Sequence, residues 1–192
     1  MKVNNRHLKA LKSIAGRDET RYVLNGVHFE PCEGGYLMVA ADRRRLAVIF
    51  KETKEELLLP FTLAAKDIDF LPARVLHLDI CHSNGKITID GLKPDYMPLV
   101  WCDAIEGDFP KWRQAIPKDP FVPSQFVLDG TVLEPFIKCT MAVCRTSNAM
   151  YFRASMDPLG PISILNGNPN FYGLIMPMRS EADEKQIPKW LL

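Results

Sequence analysis

One arrangement recurs three times along the 192 residues: a helix with an apolar face, set among short apolar strands. A supersecondary unit repeated in this way cannot bury its apolar faces alone, so neighbouring units must pack on one another. The pattern predicts three rounds of β-α-β-β-β, an α+β chain.

In the first round Asn4 or Asn5 can cap a helix over Arg6 to Ala15, which Gly16 closes. Leu8, Leu11, Ile14 and Ala15 recur at helical spacing as the core face, leaving Arg6, Lys9 and Lys12 opposite. From Thr20 to Val48 the chain reads as a meander of strands. Tyr22, Leu24 and Val27 open it, with Asn25-Gly26 as a turn or a strand irregularity. Glu33-Gly34-Gly35 breaks the run, Tyr36 to Ala40 resumes it, and Leu46 to Phe50 follows the polar stretch Asp42 to Arg45. Consecutive arginines are poor core residues, so Arg43, Arg44 and Arg45 belong on a turn or strand end presented by a rigid sheet.

The second round begins with a short strand at Leu57 to Pro60, then a helix over Thr62 to Leu71, capped by Thr62 and ended by Pro72. Strands are expected at Val75 to Ile80, at Lys86 to Ile89 after an Asn84-Gly85 turn, and at Met97 to Trp101. Ile105 to Pro117 is irregular, and Pro117, Pro120 and Pro123 mark a boundary. The third round has a helix over Ser124 to Leu133, stopping before Pro135, and strands at Thr140 to Cys144, Ala149 to Ala154, Ile162 to Leu165 and Tyr172 to Met176. Asp157 to Pro161 is a turn, and an acidic then apolar tail follows from Ser180.

The formal net charge is +1, so any nucleic-acid surface has to be local. No apolar run approaches the ~20 residues of a membrane span, and Met-Lys-Val-Asn-Asn-Arg is no signal peptide; a cytoplasmic protein without membrane contact is expected. Cys32, Cys81, Cys102, Cys139 and Cys144 are odd in number and widely spaced, as in reduced cytosolic thiols. Cys81 and His82 with His77 fit no standard zinc spacing, and His77-Leu78-Asp79 reads as strand. A nucleophile elbow, a phosphate loop and paired catalytic carboxylates are all lacking, so no enzyme, cofactor or metal is expected.

Five segments in order, RYVLNGVHFE, AADRRRLAV, GDFPKWRQAIPKD, MDPLGPISI and LIMPMR, resemble the middle and last domains of the bacterial DNA polymerase III β subunit, the sliding clamp. The match runs over most of residues 1–179. It implies a complete clamp-like domain over 1–119, a half domain over 120–179 and a tail over 180–192, with the family's first domain and the first half of its last one missing. The fold implied is the α+β DNA-clamp fold, with helices on one face of antiparallel sheets, lining a DNA channel, and the sheets outside.

The resemblance also implies the family's pocket for short Gln/Leu/Phe-type peptides of polymerases and loaders. Leu24 falls on a pocket-lining leucine, Ala41 replaces a threonine, and Arg43-Arg44 stand where Gly-His is usual. Arg45, Leu46 and Pro110 match; Gln114 replaces a common arginine and Ala115 a valine. Pro161 lies on the pocket-side loop, and Leu174, Met176, Pro177, Met178 and Arg179 match the closing strand. Leucine, proline and methionine make an adaptable apolar wall beside which arginines can hold a peptide. The alternative is that Leu24, Leu46, Leu174 and Met176 are simply core.

Arg6, Lys9, Lys12 and Lys66 would face DNA, held weakly and without sequence preference. Lys66 sits with Asp67 and Asp69, and the third helix carries Asp129, so two of the three helices are near neutral or acidic. The family's ring has twelve helices; at three per chain it implies a homo-oligomer of four. The expected function is a processivity factor that encircles DNA and binds a DNA polymerase or other proteins carrying clamp-binding peptides, with a clamp loader as a further partner. The alternative is a module that keeps the pocket without forming a ring. The end of the tail, Gln186 to Leu192, loosely resembles such a peptide, or serves as an apolar strap.

Overall fold

Strand β1 (Lys2–Asn4) leads directly into α1 (Asn5–Lys12), where the Asn4 side chain accepts the Arg6 amide and fixes the helix start. The structure is a computed structural model that describes residues 1–54, 59–91, 99–117, 128–144, 149–155, 157 and 159–178. Glu19–Leu24 forms a 3-10 segment rather than the expected strand, because Asp18 caps it by accepting from the Thr20 amide. Gly26 then opens β2 (Gly26–Cys32), which settles Asn25-Gly26 as the entry to a strand. β3 (Gly35–Ala41) and β4 (Arg45–Glu52) complete the first meander.

The second round departs from expectation at its start. Phe61 to Ala64 is strand β5, and only Ala65–Asp69 is helical, as α2. Thr62 is therefore no cap; its hydroxyl meets His28 Nδ1 at 3.0 Å across the sheet. Leu57 and Leu58 of the expected strand lie outside the described residues. β6 (His77–Ser83) and β7 (Lys86–Gly91) are joined at Asn84 and Gly85, with φ of 51° and 74°, the backbone of a tight hairpin turn. β8 (Val100–Asp103) ends the round, with Met97 and Pro98 outside the described residues.

The third round differs most. Its helix is α3 (Gly130–Val143), capped by Asp129, which accepts the Thr131 amide at 2.8 Å. Pro135 lies inside it, and Thr140 to Val143, expected as strand, are its last turn. A proline in a helix interior costs about 3 kcal/mol. Burial of Phe136, Val132 and Cys139 along one side opposes that cost, at about 1.5–3 kcal/mol for a large apolar side chain. The expected cap Ser124 lies outside the described residues. β9 (Tyr151–Arg153), β10 (Ile162–Leu165) and β11 (Phe171–Ile175) follow as expected to within a residue or two.

Among the described residues all strand pairs are antiparallel, in a four-stranded sheet ordered β1-β6-β7-β8 and a seven-stranded one ordered β5-β2-β3-β4-β11-β10-β9. The first two rounds exchange opening strands: β1 pairs with β6 and β5 with β2. The third round joins the first through β4 and β11, from Arg45 opposite Ile175 to Ile49 opposite Phe171. Alternation splits the long sheet. Tyr36, Met38, Ala47, Ile49, Phe171 and Ile175 face inward to the main core with Leu8, Leu11 and Phe136 of the helices. Val39, Ala41, Leu46, Val48 and Leu174 form a second cluster on the outer face. Among the described residues no helix is long and apolar enough to cross a membrane.

Candidate functional site: an arginine-rimmed groove

The outer cluster is the floor of a groove. Leu24 from the 3-10 segment, Ala41 from β3, Leu46 from β4 and Leu174 from β11 meet where the first and third rounds join. Leu46 and Leu174 are direct cross-strand partners. A cavity of about 280 Å³ stands over them.

One rim is the β3–β4 turn. Asp42 Oδ1 accepts the amides of Arg44 and Arg45, both at 2.7 Å, and Oδ2 accepts Arg45 Nε at 2.9 Å and Nη2 at 2.6 Å. One carboxylate thus closes the turn and fixes the Arg45 guanidinium in a half-buried position. The turn is tied to the third round by the Met176 amide, which donates to the Arg44 carbonyl at 2.9 Å. Arg43 pairs with Asp18 at 3.0 Å. Hydrogen bonds from the Thr20 hydroxyl and amide hold the Asp18 carboxyl below its ordinary range, with Arg43 and Arg21 adding attraction.

The opposite wall is the irregular stretch after β8. Trp112–Ala115 is a 3-10 turn, which puts residues three apart on one side. Trp112 and Ala115 accordingly line the groove with Phe109 and Pro110. Phe109 stacks on His28 with ring centres 4.5 Å apart, while Trp112 Nε1 donates to Glu30 at 3.1 Å. Arg113 pairs with the same carboxylate and lies 4.4 Å over the Trp112 ring. Burial pushes the His28 imidazole below its ordinary pKa, against the attraction of Glu30, so the wall rests on a neutral ring at neutral pH.

Ten of the residues carried over from the resemblance therefore converge: Leu24, Ala41, Arg43, Arg44, Arg45, Leu46, Pro110, Ala115, Leu174 and Met176. Gln114, Pro161, Pro177 and Met178 do not line the cavity, and Arg179 lies outside the described residues. Gln114 is turned away by the same 3-10 geometry that brings in its neighbours. Sequence reasoning missed Arg21, Asp42, Phe109 and Trp112. The aromatic pair around Pro110 was the available signal, since large rings in a polar, irregular stretch need something to cover.

The basic positions sit elsewhere. Arg6 and Lys9 border a cleft of about 490 Å³ between α1 and α3, with Lys138 and Met141. Lys12 is engaged by Asp69, and Lys66 is exposed on α2. His82 stacks on Phe61 at 4.6 Å, and no three metal-ligating side chains converge among the described residues.

No protein-family model matches the sequence, and no curated protein is significantly similar to it. Solved structures do match. The DNA polymerase III subunit beta of Borrelia burgdorferi superposes with a TM-score of 0.69 at 17% identity, over 93% of this chain and 64% of its own. The sliding clamp of Bartonella birtlesii, solved bound to griselimycin, gives 0.70 at 16% identity over 94% and 66%. The Caulobacter crescentus clamp gives 0.68 at 17% over 94% and 65%. The chain spans under two thirds of the Borrelia clamp and, over nearly all of its own length, has the fold of the bacterial DNA polymerase III β sliding clamps.

Proposed function

We propose that the protein is a clamp-like processivity factor, without catalytic activity, that assembles as a ring around DNA in the cytoplasm and binds partner peptides in the groove. The observation that carries the reading is the convergence of ten resemblance-assigned residues from four separate parts of the chain on one cavity. Apolar residues of a short peptide from a DNA polymerase, a clamp loader or another partner fill the floor, and the rim arginines hold its polar groups. Residues 1–119 then act as a complete clamp-like domain and 120–179 as a half domain.

An assembly of several copies is supported at β8. Its backbone bonds to β7, and none of Val100 to Asp103 pairs with a strand on the other side among the described residues. Trp101 is 71% exposed on that strand. The Lys86 ammonium, 5.9 Å from its ring centre, covers it only in part; an open edge with an exposed tryptophan is costly in a lone chain, and a neighbouring copy would cover it. Four copies would supply the twelve helices of a ring. Retention on circular DNA that is lost when the DNA is cut tests encirclement.

A second reading, a peptide-binding module that forms no ring, is favoured by the helix charges. Lys12 on α1 is engaged by Asp69, and Lys138 on α3 by Glu134 at 2.9 Å, so part of the helix charge is already taken up within the chain. Intact peptide binding with equal loss from circular and linear DNA would favour this module.

A further inference from the structure

A second cleft, of about 520 Å³, opens from the groove toward the helices and shares with it Arg21, Leu24 and the Asp42–Arg45 turn. Its far walls are the end of α1 with Arg17, and the Glu134–Lys138 stretch of α3. Six cationic side chains surround it, and three are neutralised in place: Arg43 by Asp18, Arg45 by Asp42 and Lys138 by Glu134. The exposed Arg17, Arg21 and Arg44 form no ion pair among the described residues. Arg21 and Arg44 attract Asp18 and Asp129 only as minor influences on those carboxyls.

Three unpaired guanidinium groups around one cavity suit carboxylates, which they can grip two bonds at a time. A nucleic-acid strand fits less well. Among the described residues no aromatic side chain lines the cleft to stack a base, and its mouth is the apolar floor of the groove.

We infer that the cleft takes an acidic stretch of the same peptide whose apolar residues fill the groove. Partners of this protein then carry Asp or Glu residues on the side of the motif that leaves over Arg21 and Arg44. This inference rests on the peptide-groove reading. It makes the arginine-rich turn a selector of partners, since the apolar floor alone does not distinguish an acid-flanked motif from a neutral one.

The test uses the full chain and a Gln/Leu/Phe-type peptide in three forms: plain, with glutamates added before the motif, and with glutamates added after it. One acidic form should bind about fivefold tighter than the plain one at low salt, the gain fading toward ~0.5 M salt. Arg17→Ala, outside the groove, should reduce that gain to about twofold with the plain peptide unaffected, and Arg17→Lys should restore part of it. Equal binding of all three forms overturns the inference alone, as does a gain that Arg17→Ala leaves intact. Binding of none of them overturns the groove reading as well.

Discussion

Gly173 of β11 lies directly beneath the ring of Phe136: a β-carbon at residue 173 would sit 2.9 Å from Phe136 Cε1 and 3.0 Å from Cδ1. Phe136 is fully buried, and α3 comes close to β11 at this point. Gly173→Ala must push the ring or the strand aside, at a cost of about 1–3 kcal/mol. A lower urea midpoint checks it, and weaker peptide binding should follow because β11 also carries Leu174.

Asp42 satisfies two amides and one guanidinium in the turn that rims the groove. Asp42→Ala leaves half-buried Arg45 without its carboxylate and should cost about 1–3 kcal/mol. Asp42→Asn, which keeps an acceptor oxygen, should fall between the variant and the parent in chemical denaturation.

Stability should fall on mild acidification. His28 is buried, and its pKa in the folded protein is depressed below the ordinary 6.5. The unfolded chain therefore binds a proton that the folded one refuses, and stability declines as pH drops through 6.5 toward the lower folded value. His82, depressed by burial as well, adds to the same slope. Urea midpoints for the parent and His28→Gln between about pH 7.5 and 5.5 check this; the variant should show the flatter dependence.

The thiols should differ sharply in reactivity. Cys81 is exposed, whereas Cys139 is buried and its pKa is pushed up to about 12 by that burial. Cys102 is also raised to about 12, by burial and then by Asp67. A thiol reagent at neutral pH should label Cys81 first and reach Cys139 and Cys102 only in denaturant, as peptide mapping would show.

If copies meet at β8, Trp101→Arg should reduce the oligomer to smaller species without unfolding it, because the side chain is exposed. Sedimentation velocity reads this directly.

The repeated pattern was legible because Leu8 and Leu11 keep helical spacing and the meander strands alternate. Phe61 to Ala64 was not. Four consecutive buried residues suit a helix or a strand equally, and only the exchange of β5 onto β2 decides. Pro135 misled for the opposite reason: a sound stop rule was overridden by the packing of Phe136 and Cys139. For the groove, ten lining residues were recoverable from the resemblance, Pro110 and Ala115 of the irregular stretch among them. Phe109 and Trp112 stood out only as large rings in a polar stretch; that they face the groove depends on their contacts with His28 and Glu30, which no local pattern encodes.

Peptide titration of the parent chain against Met176→Glu tests the central claim most directly. Met176 is 40% exposed at the groove wall, so the change should leave stability within about 0.5 kcal/mol. The groove account predicts that a Gln/Leu/Phe-type peptide binds the parent and loses at least about tenfold in affinity for the variant, since the added carboxylate must be desolvated against the apolar floor. Equal affinity for both proteins would contradict it.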